Sequence, residues 1–447
     1  MKKLISSIVS VFAVWVGLGL LSPLPMAFAD DECDDECGDE CDDDDECGDE
    51  LGVVPGEFIV VVAANADPQQ VAASVGAVVS SDVSVGDGNT LHFALDPDVD
   101  TESTLDVLRN TPGVLAAEPN AVVTVADFLG LRQRFFADLG TVVVEPDGSR
   151  FSVNQIALSA SNPTSHGLTG NGVLVAVLDT GVDRSHPILE PRLSANGYDF
   201  VDGDLDPSEE TDGIDNNGNG AIDEAFGHGT FVAGVVALVA PQATILPIRI
   251  LDSDGTTDSW TLLRGLAFAS AADADVINLS LGGANLGPLV EEEMERVREE
   301  GAVIVAAAGN DGVSAEQLPA AYEDVLSVGA IDGATGLGAT FSNVGSWVDV
   351  AAPGVGIVST YPEGRFATWG GTSASSPVVA GLLALIEEAA PGAPGEDLID
   401  HVTASSNLDG DASATAYGRI DIGAATSRAL SHGRAAQDLG GSEDPDD

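Results

Sequence analysis

Two hydrophobic rhythms divide this chain. From Val53 to Val125, short stretches in which apolar and polar residues alternate are interrupted by stretches with apolar residues three and four apart. A period of two marks a half-buried strand and a period near 3.6 an amphipathic helix. The spacing predicts strand Gly56–Ala63, helix Pro68–Val75, strands Ala77–Ser84 and Asn89–Leu95, helix Thr101–Arg109 and strand Val114–Val125. That order describes a small α+β unit of ferredoxin-like type. Further along, Val173–Leu178, Thr244–Leu251, Asp275–Leu281 and Ala302–Ala308 are short continuous apolar runs, as in strands buried on both faces. Helical patterns at Thr230–Val239, Ser259–Ala272, Pro288–Glu300 and Ser373–Glu388 alternate with them. The alternation predicts an α/β domain with a doubly wound parallel sheet, helices on both faces and ligand sites at the carboxyl ends of the strands.

The segments outside these two regions have different compositions. Met1-Lys2-Lys3, an apolar run from Leu4 to Leu21 and the small-x-small sequence Ala27-Phe28-Ala29 predict a signal peptide over residues 1–29, and with it a secreted, extracellular protein. All four cysteines, Cys33, Cys37, Cys41 and Cys47, fall in an acidic stretch too poor in apolar residues to form a core, so residues 30–52 are expected to be a spacer. Residues 126–151 show little periodicity and read as a linker in which a precursor is cut. The main domain is expected over 152–430, and residues 431–447 as an acidic tail.

Charge narrows the partners. The formal net charge is -57, and Lys2 and Lys3 are the only lysines. So acidic a surface disfavours nucleic acid and anionic membrane alike, leaving no membrane association expected after signal cleavage.

Three short motifs carry the candidate chemistry. Val177-Leu178-Asp179-Thr180-Gly181 sets an acid where a buried strand ends in a glycine turn. Gly227-His228-Gly229-Thr230 sets a histidine at the start of an apolar helix, between glycines that permit close backbone approach. Gly371-Thr372-Ser373-Ala374-Ser375-Ser376-Pro377 sets a serine at a helix N-terminus, where free N–H groups favour an oxyanion on the carbonyl that the serine attacks. Ser375 replaces the last glycine of the Gly-x-Ser-x-Gly elbow, so this is not the lipase and esterase motif.

The order Asp, His, Ser, together with Val276-Ile277-Asn278-Leu279-Ser280-Leu281-Gly282-Gly283, Ala307-Ala308-Gly309-Asn310, Ala352-Pro353-Gly354 and Tyr417-Gly418-Arg419-Ile420-Asp421, resembles the subtilisin-like serine peptidases from about Asn154 to Leu430. The smaller unit, with Pro112-Gly113-Val114 and Glu118-Pro119-Asn120, resembles their inhibitory propeptide. The resemblance implies a serine endopeptidase made as a self-processed zymogen. Its triad would be Asp179, His228 and Ser373, with Asn310 as side-chain donor to the oxyanion. It also implies that Ser280, Leu281 and Gly282, with the edge near Gly255 to Thr257, pair with an extended peptide, and that Ala307, Ala308 and Gly309 line the pocket for the residue before the cut. The expected partners are protein and peptide substrates and the chain's own propeptide. An inactive relative serving as a binding or structural protein with an acidic metal-binding surface is the alternative reading.

One insertion stands apart. Between Asp199 and Glu224 lie ten carboxylates and no Lys or Arg. Asp215, Asn217 and Asn219, the carbonyl of Ala221 and the side chain of Asp223 follow the spacing that opens an EF-hand loop, so structural calcium is expected there. The twelfth position is Phe226 instead of a glutamate, which leaves Asp223 or Glu224 to close the site. The calcium loop that many subtilisin-like enzymes insert after the histidine is expected to be missing, because the helix runs from Val232 straight to Ala240.

Overall fold

The computed structural model describes residues 52–85, 88–125, 156–283, 285–323, 325–408 and 415–440. The expected signal peptide, the cysteine-bearing segment and the expected linker up to residue 151 lie outside them. Among the described residues no helix is long and apolar enough to cross a membrane.

The N-terminal unit contains β1 (Val53–Val62), α1 (Pro68–Val75), β2 (Val78–Val85), β3 (Gly88–Ala94), α2 (Thr101–Arg109) and β4 (Val114–Val125). Its strands lie in the order β4-β1-β3-β2, each antiparallel to its neighbours. Both helices start on an aspartate cap: Asp67 accepts from Gln69 N and Asp100 from Ser103 N, satisfying donors that a first helical turn leaves free. Phe58, Val60, Val62, Leu91, Phe93, Val71, Leu105 and Leu108 form this unit's own core.

The larger domain follows as β5 (Leu174–Asp179), β6 (Tyr198–Asp199), α3 (His228–Val239), β7 (Thr244–Arg249), β8 (Thr256–Asp258), α4 (Ser259–Ala271), β9 (Val276–Leu279), β10 (Leu281–Gly282), α5 (Pro288–Glu299), β11 (Val303–Ala307), β12 (Val325–Ile331), β13 (Val350–Pro353), β14 (Ile357–Tyr361), β15 (Arg365–Trp369), α6 (Thr372–Ala389), α7 (Gly395–Thr403), β16 (Gly418–Arg419) and α8 (Ile422–Gly440). Eight strands form a parallel sheet in the order β16-β13-β12-β11-β9-β5-β7-β6.

Period-two alternation explains its two cores. Val175, Val177, Ile245, Val276, Val303 and Val305 face α3 and α6, whereas their neighbours Ala176, Leu178, Leu246, Ile277, Ile304 and Ala306 face α4 and α5. Every residue of α3 is buried, as expected of a helix apolar all round. The chain leaves β5 toward β7 on one side and reaches β9 on the other, so the sheet's order reverses beside β5. That switch opens a crevice at the carboxyl ends of these strands.

Several elements escaped the hydrophobic pattern. Ser327 and Gly329 interrupt the apolar run of β12, and the antiparallel pair β14-β15 sits outside the main sheet. At the C-terminus α8 continues to Gly440, ten residues into the stretch expected as an acidic tail.

Candidate active site

Asp179 is the last residue of β5 and His228 the first of α3, and the two meet at the crevice. His228 Nδ1 lies 2.7 Å from Asp179 Oδ1, with both side chains at most 2% exposed. Thr180 N donates to the same carboxylate oxygen at 2.8 Å. Such contacts hold one ring nitrogen on the carboxylate and set the tautomer. Trp369 packs edge-on against the imidazole at 5.5 Å. Glycine at 229 is required by proximity, since a Cβ there would fall 2.2 Å from Gly181 O.

Ser373 is the second residue of α6, after Gly371 in an extended, positive-φ conformation. Its Oγ lies 3.4 Å from Ser280 O, the carbonyl between β9 and β10. Pro377 lacks the N–H that would bond the carbonyl of Ser373 within the helix. Ser280 Oγ supplies the donor instead, at 3.1 Å, and also meets Ser376 Oγ, which donates to Asn278 Oδ1 at 2.9 Å. Thus the side chain of Ser280 ties down the serine-bearing helix, while the backbone carbonyl of this residue, expected to pair with an extended peptide, lies at Ser373 Oγ.

Asn310 follows β11 and is 4% exposed. Its Oδ1 accepts from Thr372 N at 2.9 Å, which ties Asn310 to the residue just before Ser373. Thr372 Oγ1 in turn accepts from Gly309 N at 3.0 Å. Ala307, Ala308 and Gly309 are buried at the end of β11. Gln317 lies over Gly309 so closely that a Cβ at 309 would overlap its Oε1, and Asn343 Nδ2 donates to that oxygen at 3.0 Å. Burial pushes the nearby Asp311 carboxyl up, and its Oδ1 is buried without a hydrogen-bond partner. The sequence alone places Asp311 and the segment through Gln317 and Leu318 near this pocket as a modifier of its side-chain preference.

The expected peptide-binding edges are filled. β4 of the N-terminal unit pairs antiparallel with β10, Val125 opposite Leu281 and Thr124 opposite Gly282. On its other side it pairs with β8, Thr124 opposite Thr256 and Val123 opposite Thr257, and Val125 N donates to Gly255 O at 2.8 Å. A strand thus enters the crevice as an extended peptide would.

A family model for the subtilase peptidases matches residues 170–419, more than half of the chain. The chain belongs to the subtilase family. A second model, the fervidolysin N-terminal prodomain, matches residues 49–120 and covers most of the unit that supplies β4. This subtilase is 43% identical over 226 residues to a thermophilic serine proteinase of Bacillus sp. strain AK1, a match spanning 48% of this chain and 52% of that protein. With subtilisin NAT of Bacillus subtilis subsp. natto the identity is 34% over 288 residues, 62% of this chain and 70% of that one. Fervidolysin from Fervidobacterium pennivorans shares the fold at TM-score 0.67 and 23% identity, covering 85% of this chain and 62% of that structure. The family model and the sequence relatives support a serine endopeptidase, and the second model a prodomain ahead of it.

The acidic insertion of this subtilase folds back on itself. Asp215 accepts from Asn219 N and Gly220 N, Asn217 Oδ1 from Asn219 N, and Asn219 Oδ1 from Ala221 N. Asp223, expected as a ligand, turns its carboxylate to Asp212 N and Gly213 N instead. Glu224 takes its place: Oε1 meets Asn217 Nδ2 at 3.0 Å and also Asn219 Nδ2, while Oε2 is buried without a hydrogen-bond partner. Among the described residues no group of three or more His, Cys, Asp or Glu side chains is arranged to hold a metal ion.

Proposed function

We propose that this subtilase is a secreted serine endopeptidase that cuts its own propeptide from the catalytic domain. Ser373 Oγ attacks the scissile carbonyl, His228 takes its proton and returns it to the leaving amine, and Asp179 orients and stabilises the imidazolium. Asn310 Nδ2 and the Ser373 N–H receive the negative oxygen of the tetrahedral intermediate. The observation that carries this reading is the strand β4 held between β8 and β10, an extended peptide running toward Ser373. Backbone pairing of this kind ignores side-chain identity, and the reading therefore extends to accessible, flexible segments of other proteins.

In this proposal residues 53–125 are the inhibitory propeptide, residues 126–151 hold the maturation cuts and the catalytic domain begins near 152. Calcium would bind the insertion through Asp215, Asn217, Asn219, the Ala221 carbonyl and Glu224. An all-oxygen donor set and the unpartnered buried Glu224 Oε2 suit a hard cation. Only two members of that set are carboxylates, so it needs no cluster of three acids.

Casein hydrolysis by the secreted protein, with sulfonylation of Ser373 by phenylmethylsulfonyl fluoride, tests the central claim. Activity that survives complete labelling, or a label that never reaches Ser373, overturns it.

A further inference from the structure

Helix α3 begins without a cap of its own. Its N-cap is Gly227, at φ 95°, which has no side chain to bond the first N–H groups. The acceptor comes from Glu209, a partly buried member of the acidic insertion. Glu209 Oε1 accepts from Gly227 N at 3.0 Å and Oε2 accepts from Thr230 N at 3.0 Å and Thr230 Oγ1 at 2.8 Å. The same Oε1 accepts from Thr180 Oγ1 at 2.6 Å, and Thr180 Oγ1 accepts from Gly229 N at 2.9 Å.

Those five bonds join the two halves of the acid-histidine pair. Thr180 follows Asp179 and donates its N–H to the carboxylate oxygen that meets His228. Gly227, Gly229 and Thr230 surround His228 at the helix start. We infer that Glu209 is a positioning residue that clamps the loop carrying Asp179 to the helix start carrying His228, so that a carboxylate outside the triad sets the triad's geometry. The inference rests on the proposed roles of Asp179 and His228. A carboxylate suits this place because it offers only acceptors to converging donors, and because a negative charge is favoured at a helix N-terminus.

The environment adds a consequence for pH. Burial, with a contribution from the Asp179 charge, pushes the Glu209 carboxyl up to about 7, although its bonds to Thr180, Gly227 and Thr230 oppose that rise. The titratable groups that act on it are Asp179, which bonds His228, and Tyr361. Protonation of Glu209 replaces an acceptor by a donor among donors and loosens the clamp as pH falls. The Glu209 carboxyl then contributes an ionisation to the acid limb of kcat/KM.

The test compares wild-type enzyme with Glu209→Gln and Thr180→Val, each processed in trans by immobilised wild-type enzyme so that maturation does not limit the yield. Glu209→Gln should lower kcat by about tenfold or more with KM within about twofold, and its acid limb should be shallower than that of the wild type. Thr180→Val, which removes one arm of the clamp and keeps the carboxylate, should lower kcat less and keep the steeper limb. Unchanged kcat, a loss carried by KM, or identical limbs in wild type and Glu209→Gln overturns the inference. Sulfonylation of Ser373 in the wild type separates the two failures: without it the protease reading falls, and with it only the clamp does.

Discussion

Val125 stands opposite Leu281 at the end of the antiparallel ladder between β4 and β10. Ser280, the next residue along that edge, has its carbonyl oxygen 3.4 Å from Ser373 Oγ. A chain cut in this register is severed after the residue that follows Val125. The first cut is therefore expected at the Ala126–Asp127 bond, with Ser373→Ala accumulating uncut precursor. N-terminal sequencing of the earliest product in a protease-deficient host checks both; a first cut elsewhere in 126–151 contradicts the register, and normal processing of Ser373→Ala contradicts self-cleavage.

Asn310→Ala should lower kcat by about 10²–10³-fold with KM little changed, the usual consequence of losing one donor to a developing oxyanion. The acceptor bond from Thr372 N to Asn310 Oδ1 predicts a second effect. Asn310→Asp keeps that acceptor while adding a negative charge beside the oxyanion, so it should be at least as damaging as Asn310→Ala. Steady-state kinetics on a peptide amide decides, and turnover within twofold of wild type for either variant removes Asn310 from the role.

The isolated segment 53–125 should inhibit the mature enzyme, since it has its own core and presents β4 to both edges of the cleft. Its affinity should depend on pH through Glu118. This propeptide carboxylate accepts from Leu289 N at the start of α5, at 3.1 Å, and is 4% exposed. Burial is the first cause that pushes it up to about 7 in the complex, and the charge of Glu292 adds to the effect. A carboxyl whose value rises on binding takes up a proton as the complex forms. Its contribution is therefore fully present below the ordinary carboxyl range near pH 4.5 and is lost as pH rises through about 7. The inhibition constant of the segment should weaken between pH 5 and 7, by up to about tenfold per unit. Glu118→Gln should flatten that dependence, and parallel pH curves for the two segments would exclude Glu118 as its source.

How much of this was legible depended on range. The central strands β5, β7, β9 and β11 and the helices at 228, 259, 288 and 372 were readable because fully buried strands and an all-apolar core helix leave local patterns. Asp179, His228, Ser373 and Asn310 stood out as candidates because each sits at or just beyond the end of such an element, near glycines that permit a close approach. Glu209 did not, because its partners Thr180, Gly227 and Thr230 lie 18 to 29 residues away and nothing in a run of ten acids distinguishes the one that caps a helix. The side chain facing the Asn217 and Asn219 amides was likewise undetermined by spacing. The backbone at Asp223 adopts φ 53°, which turns that residue's carboxylate away and leaves Glu224 toward the loop.

That reversal makes the calcium proposal testable residue by residue. Glu224 accepts from the Asn217 and Asn219 side-chain amides and Asp215 from Asn219 N and Gly220 N, whereas Asp223 is engaged by Asp212 N and Gly213 N. Without a cation, the carboxylates of the insertion repel one another close to the start of α3. A ligand that binds only the folded state raises stability by mass action, about 2.7 kcal/mol at a concentration one hundred times its dissociation constant. Calcium should therefore raise the melting temperature of the inactive Ser373→Ala protein relative to chelator. Adding Asp215→Ala or Glu224→Ala should abolish most of that rise. Asp223→Ala should lower the melting temperature in chelator, because it removes the acceptor of two backbone N–H groups, and should preserve the calcium-induced increment. Differential scanning calorimetry of the four proteins, each with calcium and with chelator, gives the answer. Equal increments in all four place the ion elsewhere in the molecule, and an increment lost with Asp223 but kept without Glu224 restores the assignment that the spacing alone suggested.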